Sequence, residues 1–324
     1  MSVPDRVVTN HDLAARMETS DEWIQQRTGI KERRYIDPGT LPSDLALEAC
    51  QRALESAGLE VGDVECIVLA TLSSQADFPG TSFFLQDQLG AGEIPCFDLR
   101  AQCSGFVYSL SVADAFVRSG TYRRVLVVGC EVHSTGLDIS TRGRDVSVIF
   151  GDGAGAMLVE ANDDPDDPGE ILSVRLHAEG KHAKRLWVEA PGSGLSPARF
   201  TQEMFDAGLH FPHMEGRFVF KHAVTRMPEV LRETLDIAKV QLEEIDLFLF
   251  HQANLRINEY VAGQLEIPSE KCFNNIQRYG NCSAASIPML LDECVRSGRL
   301  QRGQLVSMTS FGSGFSWTSA VARY

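Results

Sequence analysis

A cysteine, a histidine and an asparagine stand where this chain passes from strand to loop or helix, and the three types together can carry acyl chemistry. Cys103 lies in Arg100-Ala101-Gln102-Cys103-Ser104-Gly105, after a strand predicted at Pro95–Leu99 and before a helix predicted at Phe106–Arg118. A helix N-terminus favours a thiolate by about 0.3–1 kcal/mol, rising to about 2 kcal/mol in buried geometry. At about 1.36 kcal/mol per pKa unit, that lowers the thiol by roughly one unit from about 8.5. The dipole therefore predicts a partly ionised nucleophile, with a neighbouring imidazole supplying the rest. The competing reading of Cys103 is a buried packing residue. His251 opens His251-Gln252-Ala253-Asn254 after the apolar strand Leu247–Phe250. Strand C-termini are where open α/β sheets place their sites, although a histidine there also serves as a hydrogen-bonded structural residue. Asn281, in Tyr279-Gly280-Asn281, reads equally as part of a capping turn.

The elements that must position these residues alternate between strand and helix. Val64–Thr71, Val125–Gly129 and Leu247–Phe250 are short apolar runs, as expected for strands buried on both faces. Between them run helical patterns such as Asp44–Ala57, Phe106–Arg118 and Met227–Ala238. The alternation predicts an α/β fold with largely parallel sheets. The chain is also written twice. Val117-Arg118-Ser119-Gly120 returns as Val295-Arg296-Ser297-Gly298, 178 residues on. Asp63-Val64-Glu65 matches Glu244-Ile245-Asp246, and Cys96-Phe97 matches Cys272-Phe273. The duplicated units divide near Asn162–Gly169, giving halves 1–165 and 166–324. A separation of 178 carries Cys103 onto Asn281 and predicts that the two face each other across a pseudo-twofold axis.

Other signals exclude whole classes. Gly151-Asp152-Gly153-Ala154-Gly155-Ala156 invites a nucleotide-loop reading, but such a loop must open a helix, and Ala156–Glu160 continues as a strand. Phe311-Gly312-Ser313-Gly314-Phe315 lies between strand-like runs; its glycines permit close backbone approach, or simply a tight turn. A net charge of −14 argues against nucleic acid as a partner. No run approaches the ~18 apolar residues of a membrane span, and the N-terminus shows no apolar signal region. The eight cysteines have no metal spacing and read as reduced, in a cytoplasmic protein.

As an ordered set, the motifs resemble the β-ketoacyl-acyl carrier protein synthase III family of the thiolase superfamily, over nearly the whole chain. The landmarks are Thr19–Ile24 with Arg27–Ile30, Cys103–Phe106, Gly151–Ala156, His251–Asn254, Gly280-Asn281 with Ser283–Ser286, and Phe311–Phe315. The resemblance implies a thiolase-like duplicated αβαβα layered fold with two mixed, mainly parallel sheets. It implies Cys103, His251 and Asn281 as a catalytic triad, and the backbone amides of Cys103 and Ser313 as the oxyanion hole. An acyl primer from coenzyme A would load onto Cys103. Malonyl-acyl carrier protein would then lose CO2 to an enolate held by His251 and Asn281, and the enolate would attack the acyl group. Trp23, Arg27 and Arg142 would hold the adenine of coenzyme A, and Phe220 and Asn254 the pantetheine arm. Phe78 and His133 would shape the primer pocket. Lys221 and Arg256 would dock the acidic carrier protein. No cofactor is expected, and a homodimer is.

Two departures bear on the primer: Pro197–Gly216 is long, and His133 stands where acetyl-using relatives commonly carry an apolar residue. Two other classes compete with a condensing enzyme: an acyltransferase serving an alcohol or amine, and a non-catalytic partner subunit. CO2 release from malonyl thioester separates the first, and acylation of Cys103 the second. The family's opening strand is not evident in Met1–Asn10, so about ten residues look absent. Four strands are accordingly expected in the N-terminal sheet and five in the C-terminal one.

Overall fold

The computed structural model describes residues 1–164 and 166–324. The first sheet is built from β1 (Cys66–Ala70), β2 (Cys96–Leu99), β3 (Arg124–Glu131) and β4 (Gly153–Glu160), in spatial order β2-β1-β3-β4. The second comes from β5 (Glu170–Ala178), β6 (Leu247–Phe250), β7 (Leu305–Gly312) and β8 (Ser316–Arg323), in order β6-β7-β8-β5. Both sheets are mixed. β1 runs parallel to β2 and β3, and β6 parallel to β7; the remaining pairs are antiparallel. The helices that matter for the site are α1 (Asp21–Thr28), α2 (Pro42–Ala57), α3 (Gly105–Arg118), α4 (Gly216–Ala238), α5 (Leu255–Gln264) and α6 (Ser286–Arg296).

Apolar side chains decide the layering. α3 offers Phe106, Val107, Leu110 and Ala113, and α6 offers Ile287, Leu290, Leu291 and Cys294, to one core shared with both sheets. These two helices therefore form the central layer. Each of Phe106, Leu110, Ile287 and Leu290 is at most 1% exposed, and burial of such a side chain contributes about 1.5–3 kcal/mol. α2 covers the outer face of the first sheet with Leu45, Ala46 and Ala49. α4 and α5 cover the outer face of the second with Val224, Met227, Leu231, Ile257 and Val261. The result is the five-layer αβαβα arrangement expected from the sequence. No helix of the described residues is long and apolar enough to cross a membrane.

Three details correct the expectations. The second sheet has four strands among the described residues, not five, because pairing at Cys272 shrinks to a single bridge with Phe248. The first sheet has the four expected strands, and Ser2 bridges Ala154 at its β4 edge. α4 begins at Gly216, well before the expected Met227, because Pro228 lies inside the helix; its missing N–H made it read as a helix start. The repeat register also differs at the site. β1 and β6 start at 66 and 247, β3 and β7 at 124 and 305, and α3 and α6 at 105 and 286, a constant separation of 181. The separation of 178 holds only at the helix ends, because α3 has 14 residues and α6 has 11. Cys103 is thus the counterpart of Ala284 rather than of Asn281. The expected division at Asn162–Gly169 includes Pro165, which lies outside the described residues; β4 and β5 on either side belong to different sheets.

Candidate active site

The turn Gln102–Ser104 joins β2 to α3, and Cys103 sits at its centre with 7% exposure. Three contacts fasten this turn to the end of β7 and the start of β8. Ser310 Oγ donates to the Cys103 carbonyl at 2.7 Å, Ser104 Oγ donates to the Ser316 carbonyl at 3.3 Å, and Ser316 Oγ donates to Ser104 Oγ at 3.1 Å. Gly312 closes the approach: a Cβ there would stand 2.6 Å from the Cys103 Cβ, so only glycine fits. The next residue, Ser313, shares the cavity wall with Cys103, and its backbone N–H and that of Cys103 itself both favour the thiolate. The Ser313 hydroxyl faces away and donates to the Leu186 carbonyl.

The electrostatics of the thiol run against the sequence-based expectation. Burial pushes Cys103 up to about 12, against the lowering influence of Ser283 and the two amides, and the Glu131 carboxyl adds to the rise. The helix terminus alone does not outweigh desolvation. Nor does an imidazole partner the sulfur: Cys103 Sγ donates to Ser283 Oγ at 3.8 Å, while both ring nitrogens of His251 lack hydrogen-bond partners.

His251 and Asn281 come from the second half. His251 follows β6, is 2% exposed, and is fixed through its N–H donating to the Thr309 carbonyl at 2.9 Å. Burial, with His133 nearby, holds its imidazole down to about 3, so it is neutral and carries one N–H. Asn281 is locked by its backbone, which exchanges bonds with Ile149 and Gly151 at 2.9 and 3.1 Å. Its side-chain oxygen accepts the Ser283 N–H at 2.8 Å, which assigns the amide orientation and leaves the NH2 end to donate elsewhere.

Glu131 escaped the sequence reading, and Ser283 entered it only as part of the landmark Ser283–Ser286, without a role. Glu131 is fully buried at the end of β3, and its carboxyl accepts from Leu72 N–H at 3.1 Å, Ser73 Oγ at 2.5 Å and Ala284 N–H at 3.4 Å. It thereby ties the loop after β1 to the turn that carries Ser283. Burial pushes it up to about 7. A carboxylate closing the apolar run Val125–Cys130 was the available signal.

Cys103 opens into a cavity of about 650 Å³ whose walls include His133, Phe150, Trp187, His210, Ser283 and Ser313. His133 is therefore beside the cysteine's cavity. Phe78 is not on its wall in the single chain: it is 82% exposed, on the loop after β1. The long segment at Pro197–Gly216 roofs the cavity with His210 and Pro212 and is tied across by Arg199 to Asp77 at 2.9 Å.

Of the residues expected to hold adenine, Trp23 and Arg27 lie together and Arg142 lies apart. The Arg27 guanidinium lies 4.1 Å from the Trp23 ring centre, but the second cation over that ring is Arg144, at 5.0 Å. Arg142 instead pairs with Asp138 at 2.6 Å and lies over Phe211. The turn at Thr141–Gly143 aims neighbouring arginines in different directions, which spacing alone does not reveal. Asn254 caps α5 and donates from Nδ2 to the Arg27 carbonyl at 3.0 Å, linking that slot to the loop after His251. Phe220 packs edge-on against Tyr260. Lys221 and Arg256 are both exposed, on the adjacent helices α4 and α5. The glycine run Gly151–Gly155 serves packing: at Gly155 a Cβ would come within 2.8 Å of Pro288 and Met289 of α6.

Comparison with known proteins converges on one family. Residues 97–180 match the family described as 3-oxoacyl-[acyl-carrier-protein (ACP)] synthase III, and residues 235–324 match its C-terminal region. A beta-ketoacyl-[acyl-carrier-protein] synthase III of Roseiflexus sp. (strain RS-1) is 44% identical over 100% of this chain and 96% of that protein. The crystal structure of 3-oxoacyl-[acyl-carrier-protein] synthase III from Aquifex aeolicus VF5 superimposes with a TM-score of 0.90 at 42% identity, covering 100% of this chain and 97% of that one. A priming beta-ketosynthase from the R1128 polyketide pathway gives 0.88 at 32% identity, covering 99% and 93%.

Proposed function

The chain belongs to the β-ketoacyl-[acyl-carrier-protein] synthase III family, and on that premise we propose how its residues carry the family's reaction. It is a condensing enzyme of the acyltransferase class, joining an acyl primer to malonyl-acyl carrier protein at the start of fatty acid or polyketide synthesis. Cys103 takes the acyl group from acyl-CoA, and the thiol of coenzyme A leaves with the proton. The amides of Cys103 and Ser313 stabilise the oxyanion of that transfer; the packing of Gly312 on Cys103, which brings Ser313 to the same cavity wall as the sulfur, is the observation that carries the assignment. A thiol held near 12 reacts as thiolate only in passing; approach of the thioester and loss of its proton are coupled steps.

Malonyl thioester then loses CO2, leaving an enolate. The neutral imidazole of His251 and the free NH2 of Asn281 donate to its oxygen; a protonated His251 is not required. The enolate carbon attacks the acyl-Cys103 carbonyl, the C–S bond breaks with its electron pair going to the Cys103 sulfur, which regains a proton from solvent, and the β-ketoacyl thioester leaves. Each step is carried by side chains and amides of the chain itself, without a cofactor. Trp23 with Arg27 and Arg144 holds the adenine, Asn254 and Phe220 flank the arm, and Lys221 with Arg256 docks the carrier. We assign the two halves 1–165 and 166–324 as the duplicated units. The 82% exposure of Phe78 supports a homodimer in which it is covered. Eight unpaired cysteines support a reducing, cytoplasmic setting.

The test is intact-mass analysis after exposure to a panel of acyl-CoAs, followed by malonyl-carrier addition with CO2 measured. One acyl mass on Cys103, then its loss with CO2 release, is expected. CO2 release unaffected by Cys103→Ala, with no acyl-enzyme at any time, would reject the assignment.

A further inference from the structure

The cavity beside Cys103 is within the ~300–1,000 Å³ of small-molecule sites and far exceeds a two-carbon acyl group. Much of its wall is apolar: Leu72, Val132, Leu137 and Phe150. His133 interrupts that wall. Its side chain is 8% exposed, its ring centre lies 4.7 Å from that of Phe150, and its Nε2 has no hydrogen-bond partner. A buried polar atom without a partner is costly, and stable structures leave few of them.

The backbone holds His133 in place independently of its ring. Asp152 accepts its N–H at 2.7 Å, together with the Ser134 N–H, the Ser134 hydroxyl and the Ile36 N–H. The ring thus borders the cavity on a braced turn, with its Nε2 shut in and making no structural bond. A half-turn about Cβ–Cγ changes which ring edge meets the cavity without moving the chain. His133 is also idle in the proposed chemistry, where His251 is the working imidazole. Burial keeps His133 neutral, holding it down to about 3, so it offers one donor and one acceptor. Such a ring matches a hydroxyl or a carbonyl. A carboxylate would gain one hydrogen bond from a neutral ring but no opposite charge from it.

We propose that His133 selects acyl primers that carry an uncharged oxygen, a hydroxyl or keto group, on the carbons beyond the thioester carbonyl. The inference rests on acylation of Cys103 as proposed above.

Pairs of acyl-CoAs that exchange a hydroxyl for a methyl test it at nearly constant shape. Suitable pairs are 2-hydroxypropionyl against 2-methylpropionyl, 3-hydroxybutyryl against 3-methylbutyryl, and 4-hydroxybutyryl against pentanoyl. The second-order rate constant for Cys103 acylation is read from released coenzyme A and checked by intact mass. At one position or more, the hydroxylated primer should be about tenfold faster or better. His133→Leu should bring that ratio to one or below, and His133→Gln, which keeps a donor and an acceptor, should hold it above one. If His133→Leu does not fold, the wild-type ratio and His133→Gln decide. Methyl primers equal or faster at all three positions would overturn the proposal, as would an unchanged ratio in His133→Leu. So would succinyl-CoA outrunning every hydroxylated primer, which would shift selection to the Arg100 cation on the same wall. Acylation by apolar primers alone would defeat the role of His133 and leave Cys103 as nucleophile; no acylation by any primer would defeat both.

Discussion

Gln102 and Ser283 occupy equivalent places in the two halves and share a left-handed backbone, with φ of 46° and 41°. Non-glycine residues adopt this region rarely and at a cost of order 1–3 kcal/mol. Each opens a short 3-10 turn that runs straight into a central helix, α3 or α6. The strained residue in one half sends the next side chain, Cys103, toward the axis; in the other half the next side chain is Ala284. The two turns meet there, with Ser283 Oγ as the hydrogen-bond partner of Cys103 Sγ. Cys103 therefore faces the bend of its own copy, and Asn281 stands two residues before that bend.

The half-reactions should separate. Cys103→Ala is expected to abolish acyl-enzyme formation. His251→Ala and Asn281→Ala should each keep Cys103 acylation within a few-fold while slowing malonyl decarboxylation about 10²–10³-fold, the usual effect of losing one oxyanion donor. Single-turnover acylation and CO2 release, measured on the same preparations, check this; loss of acylation in Asn281→Ala with normal decarboxylation would reverse the roles.

Gly312→Ala places a methyl 2.6 Å from the Cys103 Cβ. Relief requires moving either the nucleophile or the Ser313 amide, and overpacking of this kind costs about 1–3 kcal/mol. Acylation should fall at least tenfold, with the thermal midpoint lowered. Unchanged acylation would show that the turn yields without disturbing the sulfur.

Acid should destabilise the fold through two histidines. His133 and His251 are both held down to about 3 from 6.5 by burial. Their stabilisation is full above pH 6.5 and is lost as pH falls toward 3, each adding up to about 1.4 kcal/mol per pH unit. Glu131, raised to about 7, acts in the opposite sense: its stabilisation is full below 4.5 and fades as pH rises through 7. Urea unfolding of His133→Leu between pH 6.5 and 4 should show a shallower acid slope than wild type. Parallel slopes would mean that the ring accepts a proton without loss.

Trp23→Ala and Arg144→Ala should raise KM for acyl-CoA about tenfold with little change in kcat, because a cation over an aromatic face contributes about 0.5–2 kcal/mol. Arg142→Ala, engaged with Asp138 and Phe211, should change KM less than threefold. The same kinetics on the three variants check the assignment, and the reverse ranking would restore Arg142 to the slot.

Sedimentation at micromolar concentration should give a dimer, and Phe78→Ala should alter relative rates across acyl-CoA primers. A fully active monomer would remove Phe78 from primer choice.

The sequence exposed the site where local pattern and chemistry coincide. Cys103, His251 and Asn281 each follow a strand or turn signal, and the order of motifs placed them on one fold. What it hid depended on packing. The sign of the Cys103 shift follows from a degree of burial set by β7, β8 and the turn at Ser283, which lie far along the chain. The three extra residues of α3, offset by a shorter loop after it, concealed the true register of the repeat. Arg144 and Arg142 are indistinguishable by spacing, and only the direction of the turn separates them.

The two connections leaving the long central strands are unequal. Residues 313–315 join β7 to β8, whereas residues 132–152 join β3 to β4. The short link holds the Ser313 amide and is hemmed in by Cys103 at Gly312, so almost any change there disturbs bond making. The long link carries His133, Leu137, Arg144 and Phe150, none of which anchors the sulfur. Mutation can therefore drift at these side chains of the long link and retune which molecules enter, while the short link keeps the reaction itself constant. The duplication has become a division between inheritance of mechanism and freedom of diet.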